Sequence, residues 1–292
     1  MSPAGSRTAF AAAKINLFLH VGPRGADGFH PIASLIVFAD VGDRLSVAHP
    51  GAPALAIEGA FAAGLSAGPD NLVARASAAL HPERPVALVL EKELPLASGL
   101  GGGSADAAAA LRLVDAHQPA PAGPERLLAV ARGLGADVPA CLLGAPVIAS
   151  GRGDALSPAP GLPSLYAVLV NPGVAATTRE VYRLFDETRS ASRADLPPLP
   201  ARFASLSDLA RLIMTTRNDL EVAAIRFAPE IGAGLLALRA EPEVLAARVS
   251  GSGSTLFAIC SDAGAAGRLA ARLAARHADW WVRACRLGAA PK

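Results

Sequence analysis

A run of glycines between a predicted strand and a predicted helix constrains this chain more than any other segment. Residues 86–90 are apolar and partly β-branched, which predicts a short buried strand. Pro95 ends the pairing of that strand because proline has no N–H to donate. The glycines that follow are Gly99, Gly101, Gly102 and Gly103. From Ala105 onward alanine and leucine predict a helix. A glycine loop (residues 95–104) that opens a helix brings bare N–H groups to the positive end of the helix dipole, which predicts a phosphate site.

The glycine loop matches neither of the two common phosphate-binding motifs. A Walker A motif needs a lysine directly after its glycines, and none follows here. Residues 99–104 approach the dinucleotide pattern G-x-G-x-x-G but end in Ser104, and they lie too far along the chain for the first βα turn of that fold. Ser104 either caps the helix or points its hydroxyl at a phosphate or metal. A plain glycine turn with a serine N-cap is the alternative interpretation.

Composition restricts the class of protein to which the chain can belong. Its 292 residues, 52% of them hydrophobic, suit one large domain or two ordinary ones. The net charge of +2 gives no general case for binding nucleic acid or an anionic membrane. The three cysteines are few, odd in number and widely spaced, which argues against a disulfide framework or a zinc site and predicts a reducing compartment. They are Cys141, Cys260 and Cys285.

The sequence carries no pattern typical of a membrane-targeted protein. Near the N-terminus only Arg7 precedes a weak apolar stretch that a lysine interrupts, so we expect no signal peptide. The longest uncharged run, residues 155–178, contains four prolines and predicts no membrane span. We therefore expect a cytoplasmic protein.

Two polar side chains of different character fall on one face of the first predicted strand. Residues 13–19 alternate, so that Lys14, Asn16 and Phe18 share one face. The other face carries Ile15, Leu17 and Leu19. Lys14 and Asn16 are candidates for a small functional pair, and a solvated strand face is the alternative.

Other segments give the chain its predicted organisation. Several early strands followed by helices predict an α+β fold. We expect a turn at residues 40–43 and a glycine- and proline-rich crossing between domains at residues 151–163. The Gly/Ser segment at residues 250–254 fits a turn between strands better than a second phosphate loop. An arginine stripe on the last predicted helix is typical of a solvated face, and its members are Arg268, Arg272 and Arg276.

Two aspartates precede predicted helices. Asp70 is the expected N-cap of a helix over residues 72–80, and Asp137 is the expected N-cap of a helix that begins before Ala140. A carboxylate held at a helix N-terminus stays ionised, which suits a group that accepts a proton or holds a cation. Capping and catalysis are therefore compatible at Asp137.

Five segments together resemble a known family of small-molecule kinases. They are residues 13–17 (Ala-Lys-Ile-Asn-Leu), 27–30 (Asp-Gly-Phe-His), 95–104, 135–139 (Gly-Ala-Asp-Val-Pro) and 250–253 (Ser-Gly-Ser-Gly). In order and spacing they resemble the superfamily of galactokinase, homoserine kinase, mevalonate kinase and phosphomevalonate kinase, from about residue 11 to residue 262. The Asp-Gly-Phe-His segment points to a substrate that carries a cytidyl group. Phe29 keeps the ring of the tyrosine usual there and lacks its hydroxyl.

The resemblance implies a fold and a set of ligands. It implies a two-domain α+β kinase with a ribosomal-protein-domain-2-like α/β domain, which we place at residues 1–160, and a ferredoxin-like domain at residues 161–292. The active site would lie in the cleft between them. The implied ligands are ATP, Mg²⁺ and a small cytidyl substrate, without nucleic acid or membrane, and the choice between a monomer and a weak dimer stays open. We find no paired-carboxylate metal site, so Mg²⁺ would arrive with ATP and touch Ser104.

The resemblance also implies residue roles. Asp137 would be the catalytic base or the orienting carboxylate for the acceptor hydroxyl, and Lys14 its cationic partner. The residues implied for ATP are Pro95, Gly99, Leu100, Gly101, Gly102, Gly103 and Ser104, together with Asn71 and Lys92. Those implied for the substrate are Asn16, Phe29, His30 and Tyr182, with His30 bonded to the cytosine and Tyr182 stacked on it.

Two alternatives of different class remain at this point. The chain could be another small-alcohol kinase of the superfamily, such as a mevalonate or homoserine kinase, although a base-stacking pair at Phe29-His30 and Tyr182 has no use for such substrates. It could also be a non-catalytic nucleotide or RNA binder, against which the presence of Lys14 and Asp137 argues.

Overall fold

The structure is a computed structural model that describes residues 8–49, 51–188 and 193–291. Arg7, which entered the signal-peptide interpretation, lies outside the described residues, and so do positions 189–192. The strands are β1 (Thr8–Val21), β2 (Ile32–Val47), β3 (Leu55–Glu58), β4 (Leu88–Glu91), β5 (Val147–Gly151), β6 (Ala155–Pro158), β7 (Leu165–Asn171), β8 (Val244–Val249), β9 (Leu256–Cys260) and β10 (Trp281–Gly288). The helices are α1 (Leu72–Leu80), α2 (Gly102–Ala116), α3 (Pro124–Leu134), α4 (Val138–Leu143), α5 (Thr178–Thr188), α6 (Leu206–Thr215), α7 (Glu221–Phe227), α8 (Pro229–Arg239) and α9 (Ala263–Arg276).

The described strands join into one 10-stranded sheet in which β2 is the hub. Strand β2 pairs antiparallel with β1, β4, β5 and β10, and β10 continues the sheet through β7 and β9 to β8. The turn predicted at residues 40–43 is wrong, because β2 passes through it as one strand with a register irregularity opposite Ala12 and Lys14. Asp43 suggested a turn by its polarity, yet it is fully buried and ion-paired with Lys92.

A β-bulge in β1 changes which residues share a face. The register shifts between Asn16 and Phe18, so that Leu17 is an extra residue. Phe18 consequently packs in the same hydrophobic cluster as Ile15 and Leu17, and its predicted place beside Lys14 and Asn16 is wrong. Strict alternation cannot anticipate a bulge, since one inserted residue reverses the faces that follow it.

Three hydrophobic clusters fix the helices on the sheet. The first packs α1 to α4 against the strands of the N-terminal half, and the second packs α5 and α7 to α9 against β7 to β9. In the third, alternate residues of β7 and neighbouring strands pack against α6. This third cluster draws on both halves of the chain, for example through Leu35, Leu169 and Phe257.

The glycine- and proline-rich residues 151–163 contain a β-hairpin as well as a connection. Strands β5 and β6 pair antiparallel across a turn at Gly151 and Gly153, both of which have positive φ. The glycines of this segment therefore serve a hairpin turn, and the crossing between domains expected here stays a prediction. No helix in the described ranges has the length and apolarity needed to cross a bilayer.

Candidate active site

One cleft of about 1350 Å³ brings together nearly all the residues singled out from the sequence. Its lining includes Lys14, Asn16, Phe29, His30, Asn71, Lys92, Pro95, Gly99, Gly101, Gly102, Gly103, Ser104, Asp137 and Tyr182. Leu100 is the exception, because its side chain is fully buried in the core. Its carbonyl oxygen accepts the backbone N–H of Lys14 at 2.8 Å, which ties the glycine loop to β1.

The glycine loop ends in an uncapped helix start. Helix α2 begins at Gly102, and Gly101 occupies the N-cap position with a left-handed φ of 64° and no side-chain cap. The first helical hydrogen bond runs from the N–H of Ala105 to the carbonyl of Gly101 at 2.9 Å. The N–H groups of residues 102–104 precede that bond, so they are available to a ligand. Ser104 lies inside the first turn of α2 and lines the cleft, so the alternative in which it is the N-cap is wrong.

The Gly/Ser turn at residues 250–254, called here the support loop, packs directly against the glycine loop. A Cβ atom on Gly99 would lie 2.3 Å from the carbonyl oxygen of Ser250, so only glycine fits there. The hydroxyl of Ser250 donates to the carbonyl of Gly99 at 3.3 Å, and the N–H of Thr255 donates to the carbonyl of Ser98 at 2.9 Å. The interpretation of this segment as a turn between strands is confirmed, and the turn also supports the glycine loop.

Lys14 and Asp137 form an ion pair in the lining of the cleft. The Lys14 Nζ lies 3.2 Å from Asp137 Oδ2 and donates to Asn16 Oδ1 at 2.8 Å. Asn16 is held in turn by its own amide, which donates to the hydroxyl of Ser34 at 2.7 Å. The Lys14 side chain is 7% exposed, whereas that of Asp137 is 37% exposed and open to the cleft. The lysine charge is therefore fixed in place, and the carboxylate faces any ligand.

Asp137 does not cap the helix that follows it. It occupies the N-cap position of α4 but makes no side-chain cap hydrogen bond. The expected N-cap position of Asp137 is confirmed, but its carboxylate does not bond to the helix backbone and turns to Lys14 instead. The carboxylate is consequently free of the helix backbone and can act on a ligand.

His30 and Tyr182 lie together in the lining of the same cleft. Their ring centroids are 5.2 Å apart. The Nδ1 atom of His30 faces the carbonyl of Gly22 at 2.9 Å, and its Nε2 atom lies 3.1 Å from a carboxylate oxygen of Asp186 on α5. Burial raises the pKa of Tyr182 above its usual range, and the nearby carboxylates of Asp137 and Asp186 raise it further. Tyr182 is therefore a neutral aromatic surface.

An arginine that sequence reasoning missed covers Phe29. The Arg152 guanidinium lies 4.4 Å from the centroid of the Phe29 ring and 2.6 Å from Asp27. The N–H of Phe29, followed by the side chain of Arg152, holds the pKa of Asp27 below its usual value. Arg152 stands in the β5–β6 turn, far from residues 27–30 in sequence, and no local pattern connects the two segments.

Lys92 belongs to a buried cluster, called here the charged triad, that consists of Lys92, Asp43 and Asp106. The Lys92 Nζ contacts a carboxylate oxygen of Asp43 and lies 2.8 Å from Asp106 Oδ2. Burial alone would lower the pKa of Lys92, but the carboxylates of Asp106 and Asp43 raise it above its usual value. The other oxygen of Asp43 accepts the backbone N–H of Leu94 at 2.8 Å. The triad therefore fastens the start of the glycine loop to β2 and α2.

Asn71 serves the fold as well as the cleft. It is the N-cap of α1, with its side-chain oxygen accepting the N–H of Val73 at 2.9 Å. The prediction of Asp70 as this cap is wrong by one position, because the carboxylate of Asp70 accepts a hydrogen bond from the hydroxyl of Ser66 instead.

Among the described residues, no group of three or more His, Cys, Asp or Glu side chains is placed to hold a metal ion.

Comparisons with known proteins agree with this arrangement. Residues 71–145 match the family model of the GHMP kinases N terminal domain, and residues 201–279 match that of the GHMP kinases C terminal. The chain is 52% identical over 287 residues to a protein of Caulobacter vibrioides (strain NA1000 / CB15N) named 4-diphosphocytidyl-2-C-methyl-D-erythritol kinase, with 96% of this chain and 99% of that protein covered. A relative of the same name from Hyphomonas neptunium is 45% identical and covers 98% of each chain.

Solved structures give the same result. A crystal structure of 4-(cytidine 5'-diphospho)-2C-methyl-D-erythritol kinase matches with a TM-score of 0.74 and 34% identity over 96% of this chain and 99% of the other. The crystal structure of L. major mevalonate kinase in complex with R-mevalonate matches with a TM-score of 0.65 over 100% of this chain and 98% of the other, at 16% identity. The second similarity concerns the fold alone.

The charged triad predicts a large effect of one substitution on stability. Lys92→Met leaves Asp43 and Asp106 buried without their cation, and we expect the free energy of unfolding to fall by about 3–5 kcal/mol. Urea unfolding measures this change. Arg211→Met is the matched control, because it removes an exposed ion pair with Asp208 and should change stability far less. Equal effects of the two substitutions would contradict the account of the triad.

Proposed function

Because the chain belongs to the family of 4-diphosphocytidyl-2-C-methyl-D-erythritol kinases, one of the GHMP kinases, we propose that it phosphorylates the 2-hydroxyl of 4-diphosphocytidyl-2-C-methyl-D-erythritol with ATP. The reaction serves the non-mevalonate route to isoprenoid precursors. One observation carries the proposal. The Asp137 carboxylate makes no capping hydrogen bond and lies 3.2 Å from the buried Lys14, and the start of α2 in the same cleft has no side-chain cap.

The start of α2 is the proposed site of the ATP phosphates. The N–H groups of residues 102–104 and the helix dipole attract anions. Gly103 has no side chain to shield these N–H groups, and a Cβ atom there would contact the Leu72 side chain at 3.6 Å. Mg²⁺ bound together with ATP would neutralise phosphate charge. Ser104 is the side chain proposed to touch that ion, since the described residues hold no carboxylate cluster for it. Asn71 lies where the adenosine is expected, with its amide already engaged in the α1 cap.

Asp137 and Lys14 are the proposed catalytic groups. Phosphoryl transfer depends on the position of the reacting groups and on charge stabilisation more than on covalent catalysis. Asp137 orients the acceptor hydroxyl and accepts its proton as the new O–P bond forms, while the bond from the γ-phosphorus to the bridging oxygen breaks and ADP leaves. Lys14 holds positive charge where negative charge develops, and Asn16 keeps the ammonium group aimed at Asp137. Asn16 therefore acts through Lys14, in addition to the contact with the acceptor expected from the sequence.

The part of the cleft lined by Phe29, His30 and Tyr182 is the proposed cytidyl site. Phe29 and Tyr182 supply rings for stacking, and Arg152 adds a positive charge that suits the diphosphate of the substrate. His30 is fixed between Gly22 and Asp186. A hydrogen bond from its Nε2 atom to the cytosine therefore requires exchange with the Asp186 carboxylate.

Three further features belong to the same proposal. We place the boundary between the two domains at residues 160 and 161, between β6 and β7. We place the protein in the cytoplasm, to which the three free, buried cysteines are suited. The proposed ligands are ATP and 4-diphosphocytidyl-2-C-methyl-D-erythritol, called here the cytidyl alcohol. We propose no binding to nucleic acid or to a membrane.

A panel of acceptors tests the function. Purified protein with MgATP should turn over the cytidyl alcohol and leave mevalonate and homoserine unphosphorylated, as followed by coupled ADP release. Turnover of mevalonate without turnover of the cytidyl alcohol would contradict the proposal. Binding of RNA without any phosphoryl transfer would favour a non-catalytic nucleotide or RNA binder instead.

Asp137→Asn should abolish most of the activity and spare binding. The amide keeps the shape of the side chain but cannot accept the proton, so we expect kcat to fall by about 10²-fold or more. Calorimetry should still detect both ligands. Asp279→Asn, an exposed residue outside the cleft, is the control and should keep the full kcat. Unchanged turnover by Asp137→Asn would show that this carboxylate is not catalytic.

Two substitutions should distinguish the proposed cytidyl site from the proposed ATP site. His30→Ala removes the ring beside Tyr182 and should raise the KM for the cytidyl alcohol while leaving the KM for ATP within about twofold. Ser104→Ala should raise the KM for ATP and leave the KM for the cytidyl alcohol within about twofold, because the hydroxyl of Ser104 lies in the first turn of α2. Steady-state kinetics with each substrate varied in turn measures both. A loss of ATP affinity in His30→Ala would contradict the placement of the two ligands.

A further inference from the structure

The Arg112 side chain connects three elements that carry the catalytic machinery. Arg112 stands on α2, and its guanidinium donates to the carbonyl of Phe10 on β1 at 2.9 Å. It also donates to the carbonyl of Cys141 on α4 at 3.2 Å and approaches that of Leu142 at 3.5 Å. One planar group thus links α2, β1 and α4 through backbone atoms alone.

The chemistry of a short helix explains these contacts. Helix α4 has six residues, so its last carbonyls have no partners within the helix and carry the negative end of its dipole. A guanidinium offers five donors in a fixed fork, which suits several carbonyls at once. Burial lowers the pKa of Arg112, and no ion pair found among the described residues includes it. The backbone carbonyls are therefore the groups that compensate its burial.

The anchored atoms lie a short way along the chain from the proposed catalytic groups. Phe10 is four residues before Lys14 on β1, and Cys141 is four residues after Asp137. Arg112 is eight residues after Ser104, which is roughly 12 Å along α2. Arg112 is absent from the cleft lining, so it does not touch a ligand held there.

We propose that Arg112 is a positioning residue that holds Lys14 and Asp137 at fixed positions relative to the start of α2. The link matters most for α4, because it is a single short helix that packs mainly on α2 and α3 and has Asp137 at its N-cap position. A displacement of about 1 Å between reacting groups can cost about 10²-fold in rate. The inference rests on the proposed function, since it concerns the alignment of those catalytic groups.

The split between kcat and KM in Arg112→Met tests this role. The variant keeps the length of the side chain and loses the donors, so we expect kcat to fall about tenfold or more with both KM values within about threefold. Arg239→Met is the matched control, because Arg239 also donates to a backbone carbonyl, that of Ala247, outside the cleft. It should lower the midpoint of thermal unfolding and keep kcat. Arg112→Lys, with one ammonium group in place of the fork, should recover part of kcat.

The possible results decide the inference in either direction. Full kcat in folded Arg112→Met, or a loss of kcat no larger than the loss of folded protein, overturns it. If Arg112→Met does not fold, folded Arg112→Lys decides, since a lowered kcat at unchanged KM supports the role and wild-type kcat overturns it. Absence of turnover by the wild-type protein would overturn the proposed function and this inference with it. Normal wild-type turnover beside an unaffected Arg112→Met overturns this inference alone.

Discussion

The contact between the Lys14 ammonium and the Asp137 carboxylate is the interaction on which the site depends. A buried lysine is costly unless a carboxylate and hydrogen-bond acceptors surround it, and Lys14 has both in Asp137 and Asn16. The partners are unequal, because the lysine is enclosed and the aspartate stays open to the cleft. Because of this inequality, the ion pair presents a carboxylate of fixed orientation to the cleft.

Backbone packing gives the glycine loop its shape. The close approach of Gly99 to Ser250 joins the loop to the support loop of the C-terminal half, and the link from Lys14 to Leu100 joins it to β1. The charged triad then fixes the point where the chain leaves β4. The start of α2 is thus held from several directions before any ligand binds, which favours a preorganised anion site.

The sequence was sufficient for the parts of the structure that local chemistry determines. The glycine loop and the bounds of α1 follow from composition and local pattern. The pairing of Lys14 with Asp137 joins distant parts of the chain, and the motif resemblance alone implied it. Other features that depend on distant contacts were not predictable. The bulge before Phe18 reverses faces, and Asp43 is polar but buried because Lys92 pairs with it. Arg152 meets Phe29 only once the β5–β6 hairpin has folded onto β2.

A crystal structure with a non-hydrolysable ATP analogue and the cytidyl alcohol tests the central claim most directly. The account predicts the terminal phosphate at the N–H groups of residues 102–104 and the acceptor hydroxyl within hydrogen-bond distance of the Asp137 carboxylate, with Lys14 beside both. An acceptor hydroxyl turned away from Asp137, or a triphosphate bound elsewhere in the cleft, would contradict it.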